Sequence, residues 1–293
     1  MNAATFDRKL VRAHRARAAR DCTRADYLLQ AAARDIGERL SAINRRFEIC
    51  ADIGCHHGLV AAALAASPGT GTIFSFDHCD ALARMSRGPA AVADEEALPL
   101  KEGAFDLIVS AHVLHWVNDL PGALIQIRRC LKPDGLFLGL LMGGDTLRSL
   151  REVLIRAESE ISGGAAPRVS PFADVRSLGT LLQRAGFALP VVDRETIAVR
   201  HDDLLAVMAD LRAMGAANAL VERSRRPLPL KVLERAAELY SAARGVGHGR
   251  VETVFEVICL TGWGPADSQP KALRPGSASH ALADVLGGGR PEK

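Results

Sequence analysis

Phe47-Glu-Ile-Cys-Ala-Asp52 reads as a short buried strand that runs into Ile53-Gly54-Cys55-His56-His57-Gly58 and then a small-residue helix, Leu59 to Ala66, ended by Ser67-Pro68-Gly69. Glycines at such a turn let the backbone bend sharply and approach a ligand at the positive end of the next helix. A second strand, Thr72 to Phe76, stops at Asp77, nineteen residues beyond Gly58, where a carboxylate can hold ribose hydroxyls. A short strand near Ala91–Ala93 leads to Asp94-Glu95-Glu96, placed to accept from an exocyclic amino group. Glycines or acids at three successive strand ends describe a nucleoside-binding edge, because ligands of open α/β sheets sit outside the carboxyl ends of the strands.

Outward from this stretch the alternation continues. An amphipathic helix spans 24–45, Phe105-Asp-Leu-Ile-Val-Ser110 is a strand, a helix covers about 120–131 and closes at Lys132-Pro133-Asp134-Gly135, and Leu136–Leu141 is a strand. Strands apolar on both faces predict a parallel sheet with helices on each side, a doubly wound α/β domain. After Met142 the spacing predicts helices at about 145–160 and 174–185, a strand at 190–199, helices at 202–216 and 228–243, and a last strand at 251–260. The helical block between the last two strands is long for a connection and suggests a lid or substrate-binding insertion. The expected organisation is basic and amphipathic helices over 1–45, a Rossmann-like core over 46–141, a lid region with closing strands over 142–263, and a disordered Pro/Gly/Ser/Ala tail over 264–293.

Composition narrows the function classes. The 293 residues are 48% hydrophobic and 24% charged, and 37 Lys+Arg against 34 Asp+Glu give a formal charge of +3, too little to argue for nucleic acid. No apolar run approaches the roughly 20 residues of a membrane span. Six scattered cysteines without a CxxC point to a reduced, cytoplasmic location. Seven permanent cations lie between Arg8 and Arg24, but Asp7, Asp21 and Asp26 interrupt or flank the run, so it is read as a basic helix of the mature protein and not as an organellar presequence.

The marks Asp52-Ile-Gly-Cys-His-His-Gly58, Asp77, Asp94-Glu95-Glu-Ala-Leu-Pro99, Phe105-Asp-Leu-Ile-Val-Ser110 and Leu131-Lys-Pro-Asp-Gly135 resemble the class I S-adenosylmethionine-dependent methyltransferases over about residues 45–141. The resemblance implies S-adenosyl-L-methionine as cofactor. Its methionine end would lie on the loop of Asp52, Gly54, Cys55, His56 and Gly58, its ribose on Asp77 beside His78, its adenine near Asp94 and Glu95, and the methyl-transfer end along Ser110 and the residues after it. One departure stands out: the family usually has glycine where this chain has His56, a side chain that can crowd the cofactor or demand a different φ.

Further motifs, Phe6-Asp-Arg-Lys-Leu10, Leu114-His-Trp-Val-Asn-Asp-Leu-Pro121, Gly143-Gly-Asp-Thr-Leu147, Ser170-Pro-Phe172 and Asp210-Leu-Arg-Ala-Met-Gly215, resemble the methyltransferase-fold assembly factors of respiratory complex I, a branch described as hydroxylating an arginine of an iron–sulfur subunit. That implies a protein substrate, and without a presequence a bacterial relative. The same patterns are similar to the malonyl-carrier-protein methyltransferase of biotin synthesis, which would make an acyl carrier protein the partner. A third alternative is an assembly chaperone that keeps the fold and has lost turnover. Candidate catalytic residues are His112 and His115, as a base, a substrate-orienting group or packing beneath the lid, and Asp145, facing substrate or capping the following helix. His78-Cys79-Asp80 is an HxD sequence, but no second histidine ligand is identifiable and no metal site is expected.

Overall fold

The central strands form because runs of Val, Ile, Leu, Phe and Cys bury both faces, and the computed structural model, which describes residues 4–270 apart from His248, shows where they go. Strands β1 (Phe47–Ile53), β2 (Thr70–Asp77), β3 (Ala90–Val92), β4 (Phe105–Ala111), β5 (Leu131–Met142), β6 (Ala188–His201) and β7 (Val251–Trp263) make one seven-stranded sheet in the order β3-β2-β1-β4-β5-β7-β6. The order reverses between β1 and β4, which makes their carboxyl ends the topological switch point.

The core strands β1 to β5 pair in parallel, as expected from sequence, while β7 runs antiparallel to both β5 and β6 and makes the whole sheet mixed. The reason lies in the connection. His201 at the end of β6 pairs with Val251 at the start of β7, so residues 202–250 leave and re-enter the sheet at the same, carboxyl, edge. A chain that returns on the edge it left must run backwards. This block, with α8 (Leu204–Ala213) and α9 (Leu230–Arg244), therefore stands at the edge where ligands of such folds bind.

Helices cover both faces. On one, α2 (Tyr27–Ser41) and α3 (Leu59–Ala66) bury Ile36, Leu40 and Leu64 against Leu107 and Leu138. On the other, α5 (Leu120–Cys130) and α7 (Val175–Arg184) bury Leu124, Ile127, Leu178 and Leu182 against Ile108 and Phe137. A third cluster joins α6 (Arg148–Ser162), α8 and α9 through Leu150, Leu154, Val207, Val232 and Tyr240. The N-terminal helix α1 (Arg8–Ala18) is held apart from these by a small cluster of Phe6, Val11, Trp116, Ala219 and Leu220. Among the described residues no helix is long and apolar enough to cross a membrane.

Two boundaries differ from the sequence reading. Strand β5 starts at Leu131, paired with Phe105, with a register break before Leu107 pairs with Leu136; the Lys132–Gly135 turn is thus a bulge within a strand. Residues 264–270 do not leave the fold, since Gly264 N–H donates to Gly135 O at 2.7 Å and Asp134 N–H donates to Gly264 O at 2.9 Å. The rest of the expected disordered tail, 271–293, lies outside the described residues.

Candidate functional site

The loop after β1 is built by backbone donors. Gly54 and Cys55 N–H both donate to Phe76 O, at 2.7 and 3.0 Å, which folds the loop over the end of β2. Gly54 has φ +76°, and a Cβ there would lie 2.2 Å from Val113, so no other residue fits. His56 occupies the position of the missing glycine and pays for it in conformation: φ is +49°, a left-handed backbone that side chains avoid. Its N–H donates to Asp77 Oδ2 at 3.0 Å and its Nε2 lies 2.9 Å from Ala111 O. Burial holds this imidazole well below its ordinary pKa, so it is neutral and donates from Nε2 to that carbonyl.

Asp52, at the end of β1, is fully buried with no well-formed hydrogen bond to either carboxylate oxygen. Burial, then the neighbouring Asp77 charge, pushes it up to about 8. Asp77 has no exposed surface; Oδ1 accepts from Cys79 N–H at 2.8 Å, and Oδ2 from His56 N–H and from Arg15 Nη2 at 2.5 Å. Asp94 accepts from Glu96 N–H at 3.0 Å and from Arg8 Nη2 at 2.7 Å, and the same guanidinium pairs with the buried Glu95. Although burial pulls Asp94 upward, the Glu96 N–H and Arg8 outweigh it and hold it below the carboxylate range. His78 lies 3.6 Å from Asp94, its pKa lowered by burial and by Arg8. Burial pushes the Cys55 thiol up, away from thiolate. The Ser110 hydroxyl is buried without a partner.

Beside this edge opens a cavity of about 370 Å³ lined by His56, His57, His112 and His115 from the sheet end and by α8 and the turn after it through Met208 and Met214. His112 has φ +55°; its Nε2 lies 3.2 Å from Leu28 O, and burial brings it down to about 4. His115 packs between Trp116 and Phe172, with ring centroids at 5.3 and 5.8 Å, and burial lowers it well below its usual range. Each keeps a buried Nδ1 without a partner. His57, which also lines the cavity, stands 3.3 Å from Asp26.

Not every expected residue joins them. Asp145 lies outside the cavity lining, with its side chain 54% exposed and 3.3 Å from Arg148. Nor does it cap the following helix, which begins after Leu147 in a left-handed conformation without a side-chain cap. The cause is Glu256, whose Oε2 takes the Asp145 N–H at 3.0 Å and turns Thr146 and Leu147 into the cavity instead. Asp52, Asp77, Asp94, Glu95 and Ser110 also lie outside the lining, the acids of β2 and β3 behind α1. Arg8 and Arg15, which hold those acids, were not singled out from sequence. Their signal was the seven-residue spacing with Val11 between, one inner face of a helix.

Residues 25–190 match the family described as a methyltransferase domain. The chain belongs to the class I S-adenosyl-L-methionine-dependent methyltransferase family. Within reach of this family it is 37% identical over 287 residues to the mitochondrial arginine-hydroxylase NDUFAF5 of Danio rerio, covering 96% of this chain and 89% of that one. It is 33% identical over 286 residues to the malonyl-[acyl-carrier protein] O-methyltransferase of Laribacter hongkongensis, covering 92% and 94%. The methyltransferase fold is shared with the YcgJ protein of Bacillus subtilis, with a TM-score of 0.53, 14% identity, and coverage of 78% of this chain and 97% of that one. The donor set at this edge fits the cofactor in kind: Asp52 has two buried oxygens without a well-formed hydrogen bond, and Asp77, Asp94 and Glu95, paired here with Arg15 and Arg8, are carboxylates of the chemistry that ribose hydroxyls and an adenine amine seek.

Proposed function

We propose that this methyltransferase-family enzyme binds S-adenosyl-L-methionine along the ends of β1, β2, β3 and β4 and modifies a protein partner during assembly of respiratory complex I. The single observation that carries the cofactor reading is the series of carboxylates Asp52, Asp77 and Asp94 at successive strand ends, beside the cavity. Gly54 and Gly58 would let the backbone approach the methionine end, Asp77 would take the ribose, and Asp94 with Glu95 the adenine amine. S-adenosyl-L-methionine supplies a methyl group on a positively charged sulfonium. The chain's own part is positioning and exclusion of water, the effects that in-line transfer needs most. His56, His112 and His115 stay neutral and add no charge to the cavity, while α8 and the 214–218 turn roof it as a lid. His57, oriented by Asp26, is the side chain placed to take a proton from a partner's nucleophile.

The partner reading rests on the NDUFAF5 relatives, matched over nearly the whole chain. The malonyl-carrier-protein relative supports a second reading, in which the partner is an acyl carrier protein. The six free thiols support a reducing, cytoplasmic setting. Incubating the protein with methyl-labelled S-adenosyl-L-methionine and either a complex I iron–sulfur subunit or a malonylated carrier protein separates these. The leading reading expects label and the mass of a methyl group on the complex I subunit; label on the carrier alone selects the second reading, and no change in either partner refutes both.

A further inference from the structure

We infer that α1 is an internal ligand of the nucleoside edge, in which Arg15 and Arg8 occupy the carboxylates that the cofactor's ribose and adenine must reach, so that α1 has to move before the nucleoside can seat. This rests on the cofactor reading above and adds the regulation of that site.

The geometry makes the two occupancies exclusive. Asp77 is wholly buried and Glu95 is 3% exposed, and what covers them is α1: Arg15 Nη2 stands 2.5 Å from Asp77 Oδ2, and Arg8 bridges Asp94 and Glu95. A hydroxyl cannot hydrogen-bond a carboxylate that has no accessible surface. Both arginines project from the inner face of one helix, two turns apart, with the buried Val11 between them. They act on both ends of the edge as one body.

The rest of α1 is built to leave. Its N-terminal end is pinned by the Phe6–Leu220 bridge, Asp7 N–H to Ala219 O at 2.9 Å and Phe6 N–H to Asn118 Oδ1 at 2.8 Å, whereas beyond it, apart from the ion pairs, the helix rests on Val11 and on His14 Nδ1 to Ala217 O at 3.1 Å, so it can swing about that end by local opening. Lys9, Arg12 and Arg17 on its outer face are exposed and stay hydrated wherever the helix lies. Taking the guanidinium away from a buried carboxylate leaves an uncompensated charge, so α1 stays closed until ligand hydroxyls are there to bond the carboxylates. Arg15 also lines the cavity, so the same movement joins the cavity to the nucleoside edge. A second contact sets how tightly α1 closes: Gly215, at φ +74°, lets the helix approach so closely that a Cβ there would lie 3.1 Å from Arg15 Cα and 3.3 Å from Ala18 Cβ.

The test is calorimetric titration of the full chain with S-adenosylhomocysteine, beside hydrogen exchange of residues 8–18 with and without that ligand. Arg15→Gln removes the pair at Asp77, Gly215→Ala pushes α1 outward with no change of charge, and Lys9→Gln on the exposed face is the control. The expected result is binding tightened by about tenfold in both Arg15→Gln and Gly215→Ala, as for a protein whose competent state is a minor fraction, no change in Lys9→Gln, and faster exchange of α1 in the liganded wild type. Should Arg15→Gln misfold, Gly215→Ala and the wild-type exchange still decide. Weaker or equal binding by the variants, or slower exchange of α1 on binding, overturns the proposal and leaves the cofactor reading standing. No binding by any of the proteins overturns both.

Discussion

His56 shows how a single side chain can be kept where the family's backbone calls for glycine. Its left-handed φ of +49° costs on the order of 1 kcal/mol, and its ring hydrogen bond to Ala111 O returns about as much. His56→Gly should therefore leave stability within about 1 kcal/mol of wild type while widening the cavity beside the loop. Thermal unfolding checks this, and a loss of several kcal/mol would show the imidazole to be a structural keystone. Asp52 gives the pH dependence. Its folded pKa of about 8 lies above that of an unfolded carboxylate, so the folded state binds the extra proton, and this group's contribution to stability is full below about pH 4 and is lost as pH rises through 8. Asp52→Asn should remove that slope, gaining on wild type by at most about 1.4 kcal/mol per pH unit through the window; a melting-temperature difference independent of pH between 5 and 8 would contradict the assignment. These roles were only half legible in the sequence. Asp52, Gly54 and Asp77 announce themselves by spacing, and His56 was recognisable as a departure, but that its ring would reach the end of β4 needs a contact between positions 56 and 111 that no local pattern encodes.

The elements were legible where one period dominated and lost where turn chemistry or pairing direction intervened. Leu59–Ala66 forms the helix its small residues and Ser67-Pro68-Gly69 stop foretell. Strand β5 was read five residues short because Lys132-Pro133-Asp134-Gly135 has the composition of a turn; Asp134 takes φ +60°, paired with Arg45, inside a bulged strand. The direction of β7 was hidden because alternation shows a strand but not the sense in which it runs. That reversed strand carries the clamp that aims the cavity wall. Thr146 Oγ1 donates to Glu256 O at 2.9 Å and accepts from Glu256 N–H at 3.0 Å, pinning the 143–147 turn between β5 and α6. Thr146→Val keeps the volume and leaves Glu256 N–H without its acceptor, while Glu256 O keeps the Gly143 N–H at 2.8 Å, which should cost about 1–3 kcal/mol. Chemical denaturation measures it, and a change below about 0.5 kcal/mol would mean that the turn is held by its other bonds.

Across the whole molecule, the acids and glycines read from the chain fall on one sheet edge because topology is repetitive: the parallel strands of a doubly wound sheet all end on the same side. What lay beyond reach was the traffic across that edge. Arg15 meets Asp77 across 62 positions and Arg8 meets Asp94 across 86, and these long-range pairings lay the basic helix over the acids at the ends of β2 and β3. Residues 202–250 stand at that edge because β7 runs backwards. The measurement that most directly tests the central claim is ultraviolet crosslinking of labelled S-adenosyl-L-methionine to the intact protein, with the modified peptides mapped by mass spectrometry. Label within residues 52–58 or 110–116, competed by S-adenosylhomocysteine, is the result predicted; no label, or label confined to peptides away from the carboxyl ends of β1 and β4, would contradict it.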